Sequence, residues 1–251
     1  MIAIILAAGR GSRLAQYNPD KRPKCLLEFD GESLLQRHLR LLSGLGVDAV
    51  HIVTGYKGEE LHAAVAGMPE KPTVNWHHNE RFLEGSTISL QSAAMVMRSG
   101  EDVLIMDADV LYDPDILTRL AEASSANVFL LDRNFEDGPE PVKIAVDKGT
   151  IVEFRKQLPT GLAFDQIGES VGFFRFNSVT AAWLADRCDQ YDQQGRGEAP
   201  HEEVLRDLVL DSDIPVNIVD VSGLVWIEID FPEDVVKARD TILPAINEKL
   251  K

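Results

Sequence analysis

Cysteine is scarce: among 251 residues only Cys25 and Cys188 occur, far apart and in no CxxC pair, so neither a zinc site nor a disulfide framework is indicated. A reducing, cytoplasmic setting is the expectation. Positive charge is also in deficit. Lys and Arg number 25 against 41 Asp and Glu, a formal charge of −16 that repels nucleic-acid backbones and anionic membranes over long range. No apolar run is long enough to span a bilayer. The opening stretch 1–8 is apolar but short, lacks a basic n-region and runs into Gly9-Arg10-Gly11, so it reads as a buried strand rather than a signal peptide. No period of 20 to 50 residues recurs and no segment is low in complexity, which excludes a repeat architecture. What the chain binds is therefore decided by local charge in a pocket.

An apolar fraction of 45% permits a sizeable core, enough for one large α/β domain or two small ones. Residues 2–6 are a continuous aliphatic run of the kind buried on both sheet faces, and Ala7-Ala8-Gly9 allows a tight turn after it. Helical spacing over 33–42, stopped by Gly44 and Gly46, precedes a strand at 49–54. A second cycle predicts a helix at 59–66, a strand at 73–77, a helix over 87–97 with Ser86 as N-cap, and a strand at 102–106. A helix over 113–123, with Pro114 in its first turn, and a strand at 128–131 continue the alternation. The pattern predicts an α/β, Rossmann-like fold with a mixed, mostly parallel sheet flanked by helices. After Arg133 it changes to a hairpin at 142–146 and 151–154 and a strand at 170–176. Helices at 179–191 and 201–209 flank a polar stretch, 192–200, expected to be a mobile surface loop. Strands at 216–221 and 224–229 and a helix over 232–246 complete the reading, with no linker anywhere in 1–251.

The first strand leads into Leu6-Ala-Ala-Gly-Arg-Gly-Ser-Arg-Leu14. Small residues there let backbone N–H groups approach an anion closely, and Arg10 and Arg13 add guanidinium charge beside them. The loop is not a Walker A motif, which needs Gly-Lys-Ser/Thr at its end. Nor is it GxGxxG, since only Gly9 and Gly11 are present. A polyphosphate suits it, although Gly-x-Gly after a strand is also a common bare turn. Ten residues after Leu14 lies Lys24, in Arg22-Pro23-Lys24, followed by Leu26-Leu27 and, past Asp30-Gly31, a helix.

This arrangement resembles the signature of the nucleotide-sugar pyrophosphorylase-like nucleotidyltransferases. The resemblance implies a nucleotide-diphospho-sugar transferase fold in which Leu6, Ala7 and Ala8 with Gly9, Arg10, Gly11 and Ser12 wrap a nucleoside triphosphate. It also implies that Arg13 and Lys24 contact phosphate at the reacting centre. The chemistry agrees, because such transfer needs charge neutralised on the α-phosphate and the departing pyrophosphate more than it needs a protein nucleophile. The bland alternative for Arg13 and Lys24 is a pair of solvated charges.

Asp107-Ala108-Asp109 follows the aliphatic strand 103–106, placing a carboxylate at a strand's C-terminal end, where open α/β sheets bind ligands. Asp109 is the preferred metal ligand, and Asp230, ending Trp226-Ile-Glu-Ile-Asp, is the second. Both segments resemble metal motifs of the family, particularly of the cytidylyltransferases. Mg²⁺ is the expected cofactor, since one or two carboxylates plus phosphate oxygens and water complete its shell. Glu228 shares a strand face with Asp230, as a supporting partner or a second-metal ligand. Asp113 and Asp115 read as support for the next helix start, and His77-His78 as structural.

The resemblance places the base pocket at Glu84-Gly-Ser-Thr-Ile-Ser-Leu90, with Glu84, Ser86, Thr87 and Ser89 as nucleotide-binding candidates; plain helix capping is the alternative for Ser86. The stretch from Asn79 to Leu90 looks like that of phosphocholine and aminoalkylphosphonate cytidylyltransferases, which favours CTP, though asparagines often occupy the Ser86-Thr87 positions there. By the same resemblance Lys143 and Lys156 face the acceptor phosphate, with Glu169, Glu202 and Glu228 also on the acceptor side. With three Trp and four Tyr, an aromatic cage for a quaternary ammonium is not indicated, and a primary amine fits Glu169, Glu202 or Glu203 better. On this reading 1–251 is a single nucleotidyltransferase domain, 1–133 its nucleotide-binding half and 134–251 its acceptor-binding half. Its partners are a nucleoside triphosphate and a small phosphorylated acceptor, without nucleic acid or membrane; a homodimer is compatible with it. The rivals are a sugar-1-phosphate nucleotidyltransferase using UTP, GTP or dTTP, and an inactive nucleotide-binding regulatory module. A Rossmann dehydrogenase lacks its third glycine and has Thr54-Gly55 where an acidic residue is needed.

Overall fold

The computed structural model describes residues 1–14 and 20–249. Strand β1 (Ile2–Ala7) lies between β4 (Ala49–Thr54) and β6 (Val103–Asp107), parallel to both, and β5 (Thr73–His78) extends the parallel run beyond β4. The aliphatic content of β1 and β6 follows from that position, since each is covered by helices on both faces. The long strand β11 (Gln166–Phe176) runs antiparallel to β6 through its C-terminal half and to β9 (Lys143–Asp147) through its N-terminal half. β9 pairs in a hairpin with β10 (Thr150–Arg155); on its other edge β11 pairs with β8 (Val128–Asp132), and β8 with β12 (Asn217–Asp220). One nine-stranded mixed sheet among the described residues thus joins the parallel part to the antiparallel part.

Two apolar layers cover the sheet. On one face α1 (Leu34–Gly44), α2 (Gly58–Ala66) and α5 (Pro114–Glu122) bury Leu35, Leu39, Leu61 and Leu117. On the other, α3 (Ser86–Gln91), α4 (Ala94–Met97), α6 (Ser178–Gln193) and α7 (His201–Asp211) bury Leu90, Met97, Leu184 and Leu205. α1 starts on a capping box, in which Ser33 Oγ accepts from Gln36 N and Gln36 Oε1 accepts from Ser33 N. As expected, Asp113 supports α5, its Oδ1 accepting from Asp115 N at 2.9 Å. A third, smaller core lies beneath the short hairpin of β2 (Glu28–Phe29) and β3 (Glu32–Ser33), together with β7 (Val110–Tyr112), β13 (Trp226–Glu228), α8 (Pro232–Lys237) and α9 (Leu243–Lys249).

Three expectations are corrected. The helix predicted over 87–97 is broken into α3 and α4, where Ser92 Oγ donates back to Ile88 O at 2.9 Å; Gly85, not Ser86, is its N-cap. The stretch 192–200 is not a free surface loop. Gly197 O and Ala199 O accept from Gly85 N and Thr87 N, so the stretch is docked on the start of α3. The last helix is interrupted by a π turn at Ala238–Ile242. His77 Nε2 lies 2.9 Å from His51 Nδ1 on the neighbouring strand.

Candidate active site

The loop after β1 and the turn carrying Lys24 form one wall. Gly11 takes a left-handed φ of +59°, and a Cβ on it would come within 2.5 Å of Lys24 Cγ. Glycine is needed there both for the conformation and for the close approach of the lysine stem. A 3₁₀ turn over Lys24–Leu26 then directs Lys24 into the cleft, while its neighbour Cys25 is buried, its thiol pushed up to about 12 by loss of water. Arg10 turns away, over the ring of Tyr56 at 5.8 Å. Arg13 stays in the cleft, its Nη1 donating to Asp230 Oδ2 at 2.9 Å and to Glu140 Oε2 at 3.3 Å.

The facing wall is built by two short strands, β7 and β13, paired antiparallel. Asp113 N donates to Val225 O and Ile229 N to Asp109 O at 2.9 Å, so the ladder is extended at both ends and Asp109 is brought beside Asp230. From beneath, buried His38 Nε2 donates to Ala108 O at 3.2 Å, while its Nδ1 meets the Tyr112 hydroxyl at 3.2 Å. Burial pushes that imidazole down to about 4, so it is a neutral strut for the Asp109 turn. Asp109, Glu228 and Asp230 each offer an oxygen, all within 4.8 Å of one another. Three hard oxygen donors in one cleft fit a divalent cation such as Mg²⁺, with room for phosphate oxygens and water in the remaining positions.

Lys24 Nζ stands among these acids. It pairs with Asp109 and donates to Asp230 Oδ1 at 2.7 Å. Burial alone would lower the ammonium's pKa, but the two carboxylates outweigh it and hold Lys24 above the ordinary lysine range. Asp230 is held below the usual carboxylate range: its partial burial works the other way, but Lys24 and Arg13 prevail. Glu228 has no such ion pair among the described residues. Loss of water, then the charges of Asp109, Asp230 and Asp107, push its carboxyl well above the usual range.

The cleft between these walls encloses about 360 Å³ and is lined at its far end by Glu84, Ser86, Ser89 and Phe82. Glu84 is held by Arg81, and Ser89 Oγ accepts from Asn79 Nδ2 at 3.1 Å. Ser86 Oγ accepts from His201 N at 2.8 Å. Thr87 does not join the lining; its buried hydroxyl has no hydrogen-bond partner among the described residues.

The acceptor candidates separate. Lys156 pairs with Glu140 Oε2 at 3.0 Å and lines a recess of about 40 Å³ with Asp107, Glu202 and Glu228. Glu202 also lines the main cleft. Lys143 does not line either space. Its ammonium donates to Gly138 O at 2.7 Å and Lys156 O at 2.8 Å and pairs with Asp137 at 3.2 Å, which engages all three of its protons. Glu169 lies in a neighbouring cavity of about 370 Å³ that reaches Asp230 from the other side, beside Trp226, whose Nε1 donates to Asp132 Oδ2. Its carboxyl is pushed up to about 7 by loss of water and by Asp132.

A family model described as a MobA-like NTP transferase domain matches residues 3–161. The chain belongs to this family. It carries a nucleotidyltransferase built on the fold expected from its sequence, and the family commonly uses a divalent metal. Among curated relatives it is 27% identical, over 92% of its length, to a CMP-5'-(3-aminopropyl)phosphonate synthase from Streptomyces rubellomurinus, of which the match covers 37%. It is 26% identical, over 96%, to a bifunctional IPC transferase and DIPP synthase from Rubrobacter xylanophilus, of which 52% is covered. The chain thus spans about half or less of these two relatives. With a CTP:phosphoglutamine cytidylyltransferase from Campylobacter jejuni it is 25% identical over 94% of this chain and 98% of that one. In fold it resembles the inositol-1-phosphate CTP transferase from T. maritima, with a TM-score of 0.78 at 20% identity over 99% of this chain and 95% of that one.

Several cleft residues carry no local signal in the sequence. Glu140 joins Arg13 to Lys156 through one carboxylate oxygen, yet it lies in a Gly- and Pro-containing loop among many acids. His201 reads as an ordinary helix start. No helix among the described residues is long and apolar enough to cross a membrane.

Proposed function

We propose that the chain transfers a CMP unit from CTP to a small phosphate or phosphonate with Mg²⁺ as cofactor, releasing pyrophosphate. The observation that carries this is the convergence on one cleft of Arg13 and Lys24, from the wall that holds the glycine loop, with Asp109, Glu228 and Asp230 from the facing wall. The choice of CTP rests on relatives named for CMP or CTP chemistry. An acceptor oxygen attacks the α-phosphorus in line, the bond from that phosphorus to the bridging oxygen breaks, and pyrophosphate leaves with the electron pair. The attacking oxygen is already ionised, so no general base is needed. Arg13 and the backbone N–H groups of Gly9 to Ser12 hold the leaving phosphates, and Lys24 absorbs charge at the α-phosphate. Asp109 and Asp230, with Glu228 beside them, would hold the cation, which supplies charge neutralisation between phosphates.

On the acceptor side, Lys156 meets the attacking phosphate. The acids Asp107, Glu202 and Glu228 around the recess fit a primary amine at the acceptor's other end. A sugar 1-phosphate with UTP is the second reading. Its support is a relative named UTP–glucose-1-phosphate uridylyltransferase from Haloferax volcanii, 26% identical over 93% of each chain. The test is pyrophosphate release with Mg²⁺, crossing CTP, UTP, GTP and ATP with aminoalkylphosphonates, phosphocholine and sugar 1-phosphates. CTP with an aminoalkylphosphonate is expected to dominate. Preference for UTP and a sugar 1-phosphate would replace this reading by the second.

A further inference from the structure

One oxygen of Glu140 serves two cations. Its Oε2 accepts from Arg13 Nη1 at 3.3 Å and from Lys156 Nζ at 3.0 Å, so a single carboxylate joins the nucleotide wall to the acceptor recess. This contact is one link in an alternating series. Lys156, Glu140, Arg13, Asp230, Lys24 and Asp109 follow one another as cation and carboxylate, from the recess to the metal cluster. Glu140 is the link that carries the series across to the acceptor side.

The carboxylate is held there by its own stretch of chain. Glu140 lies between two prolines, in Gly138-Pro139-Glu140-Pro141, which fix φ at 139 and 141 and favour extended backbone at 140. From beneath, the buried Lys143 donates to Gly138 O at 2.7 Å and to Lys156 O at 2.8 Å. One ammonium thus ties the stretch carrying Glu140 to the residue that Glu140 pairs with. The ion pairs themselves are exposed and contribute little to stability, so this scaffold places charge rather than holding the fold together. It also leaves donors over. Among the described residues, Arg13 meets Glu140 and Asp230 through Nη1 alone, of the five N–H groups on a guanidinium, and Lys156 spends one of its three protons. Both cations can therefore keep Glu140 and still reach phosphate.

We propose that Glu140 is a positioning residue for the transfer: it fixes Lys156, on the attacking phosphate, against Arg13, on the departing one, and so sets the line along which the acceptor oxygen meets the α-phosphorus. The role rests on the transfer reaction above. In-line attack depends on the distance and angle between the reactants, and a displacement of about 1 Å can cost on the order of a hundred-fold in rate. A lysine ammonium on a flexible four-carbon stem does not hold that geometry unaided.

The test measures kcat at saturating CTP and acceptor, Mg·CTP affinity by calorimetry without acceptor, and melting temperature. Glu140→Ala is expected to lose about ten-fold or more in kcat, while CTP affinity stays within about two-fold and the melting temperature within about two degrees. Glu140→Gln, whose amide oxygen still accepts from both cations, should recover most of the lost kcat. In a Lys156→Ala background, removing Glu140 should change kcat by less than about two-fold, since the cation to be placed is gone. An unchanged kcat in Glu140→Ala overturns the role. So does an undiminished loss in the Lys156→Ala background, which would show Glu140 acting on Arg13 alone. Tighter CTP binding with no loss of kcat would make Glu140 a competitor of phosphate instead. A wild type that releases pyrophosphate with no substrate pair removes the transfer reading and this role with it. A wild type that turns over and is matched by Glu140→Ala removes the role and leaves the reading standing.

Discussion

Lys24 Nζ donates to Asp230 Oδ1 at 2.7 Å while also pairing with Asp109, so a lysine ammonium neutralises the two carboxylates best placed to bind a metal. The same side chain is the candidate phosphate contact. On the proposed reaction, cation and substrate would compete with one salt-bridge network, and loading the site would require Lys24 to exchange carboxylate partners for phosphate oxygens. The residues are largely shielded from water, so breaking the network from one side leaves carboxylates uncompensated.

Lys24→Ala tests that competition. Without the ammonium, Asp109 and Asp230 are left facing each other uncompensated, and the cost is on the order of 3 kcal/mol when a shielded pair loses one partner. The mutant is expected to melt lower than wild type in EDTA and to recover more of its melting temperature when Mg²⁺ is added. Its kcat is expected to fall by about two to three orders of magnitude, as for loss of one preorganised charge donor. A folded mutant with wild-type turnover removes Lys24 from the reaction.

Glu169 offers a pH test. Its carboxyl titrates near 7 in the folded chain, raised by loss of water and by Asp132 from an ordinary value of 4.5. The folded state therefore binds more protons than the unfolded state between those values. The contribution is fully present below pH 4.5 and is lost as pH rises through 7. Glu169→Gln is expected to melt above wild type at pH 8 by a few degrees, about 1–2 kcal/mol after discounting for its partial exposure. The two curves should converge near pH 4.5. Parallel curves from pH 4.5 to 8 would show that Glu169 is not the group responsible.

The joint between α3 and the segment before α7 predicts a steric phenotype. Gly85→Ala places a methyl group against Ala199 O, a backbone atom that cannot rotate away. Destabilisation of about 1–3 kcal/mol is expected from such overpacking. Limited proteolysis should show earlier cleavage within 192–200 than in wild type. Equal cleavage rates and equal melting temperatures would mean that the two segments are not coupled.

The parts of this site that were legible in the sequence are those encoded locally. Gly9 to Arg13 and Lys24 lie close along the chain, and Val103 to Met106 marks its strand by aliphatic content, so Asp109 follows at the strand end. The approach of Asp230 rests on the pairing of β13 with β7; β13 lies within the strand expected over 224–229, but β7 has three residues, too few for periodicity to mark, so only motif resemblance brought Asp230 to Asp109. The parallel strands were readable because both faces are buried. The break after α3 was not, because it depends on Ser92 bonding back to Ile88. His201 and Glu140 lie at a helix start and in a loop, where a single polar residue has no pattern to stand out from. Lys143 was assigned by resemblance to the acceptor phosphate, but its environment depends on carbonyls at 138 and 156 that only the folded hairpin brings together.

Lys143 and Lys156 can be separated on that basis. Lys156 lines the recess, whereas Lys143 bonds the Lys156 carbonyl and so would act on the proposed acceptor only through its neighbour. Lys156→Ala is expected to raise the acceptor KM by about ten-fold or more while leaving the melting temperature within a degree or two, because its ion pair with Glu140 is exposed and contributes little. Lys143→Met should do the reverse. It leaves Gly138 O and Lys156 O without their donor, which costs on the order of 1–3 kcal/mol, and its effect on KM comes only from a loosened Lys156. In the double mutant the KM effect of Lys143→Met should vanish, since there is no longer an ammonium to misplace. If the two KM effects instead multiply, Lys143 reaches the acceptor directly, and its bonds to the hairpin carbonyls must open when substrate binds.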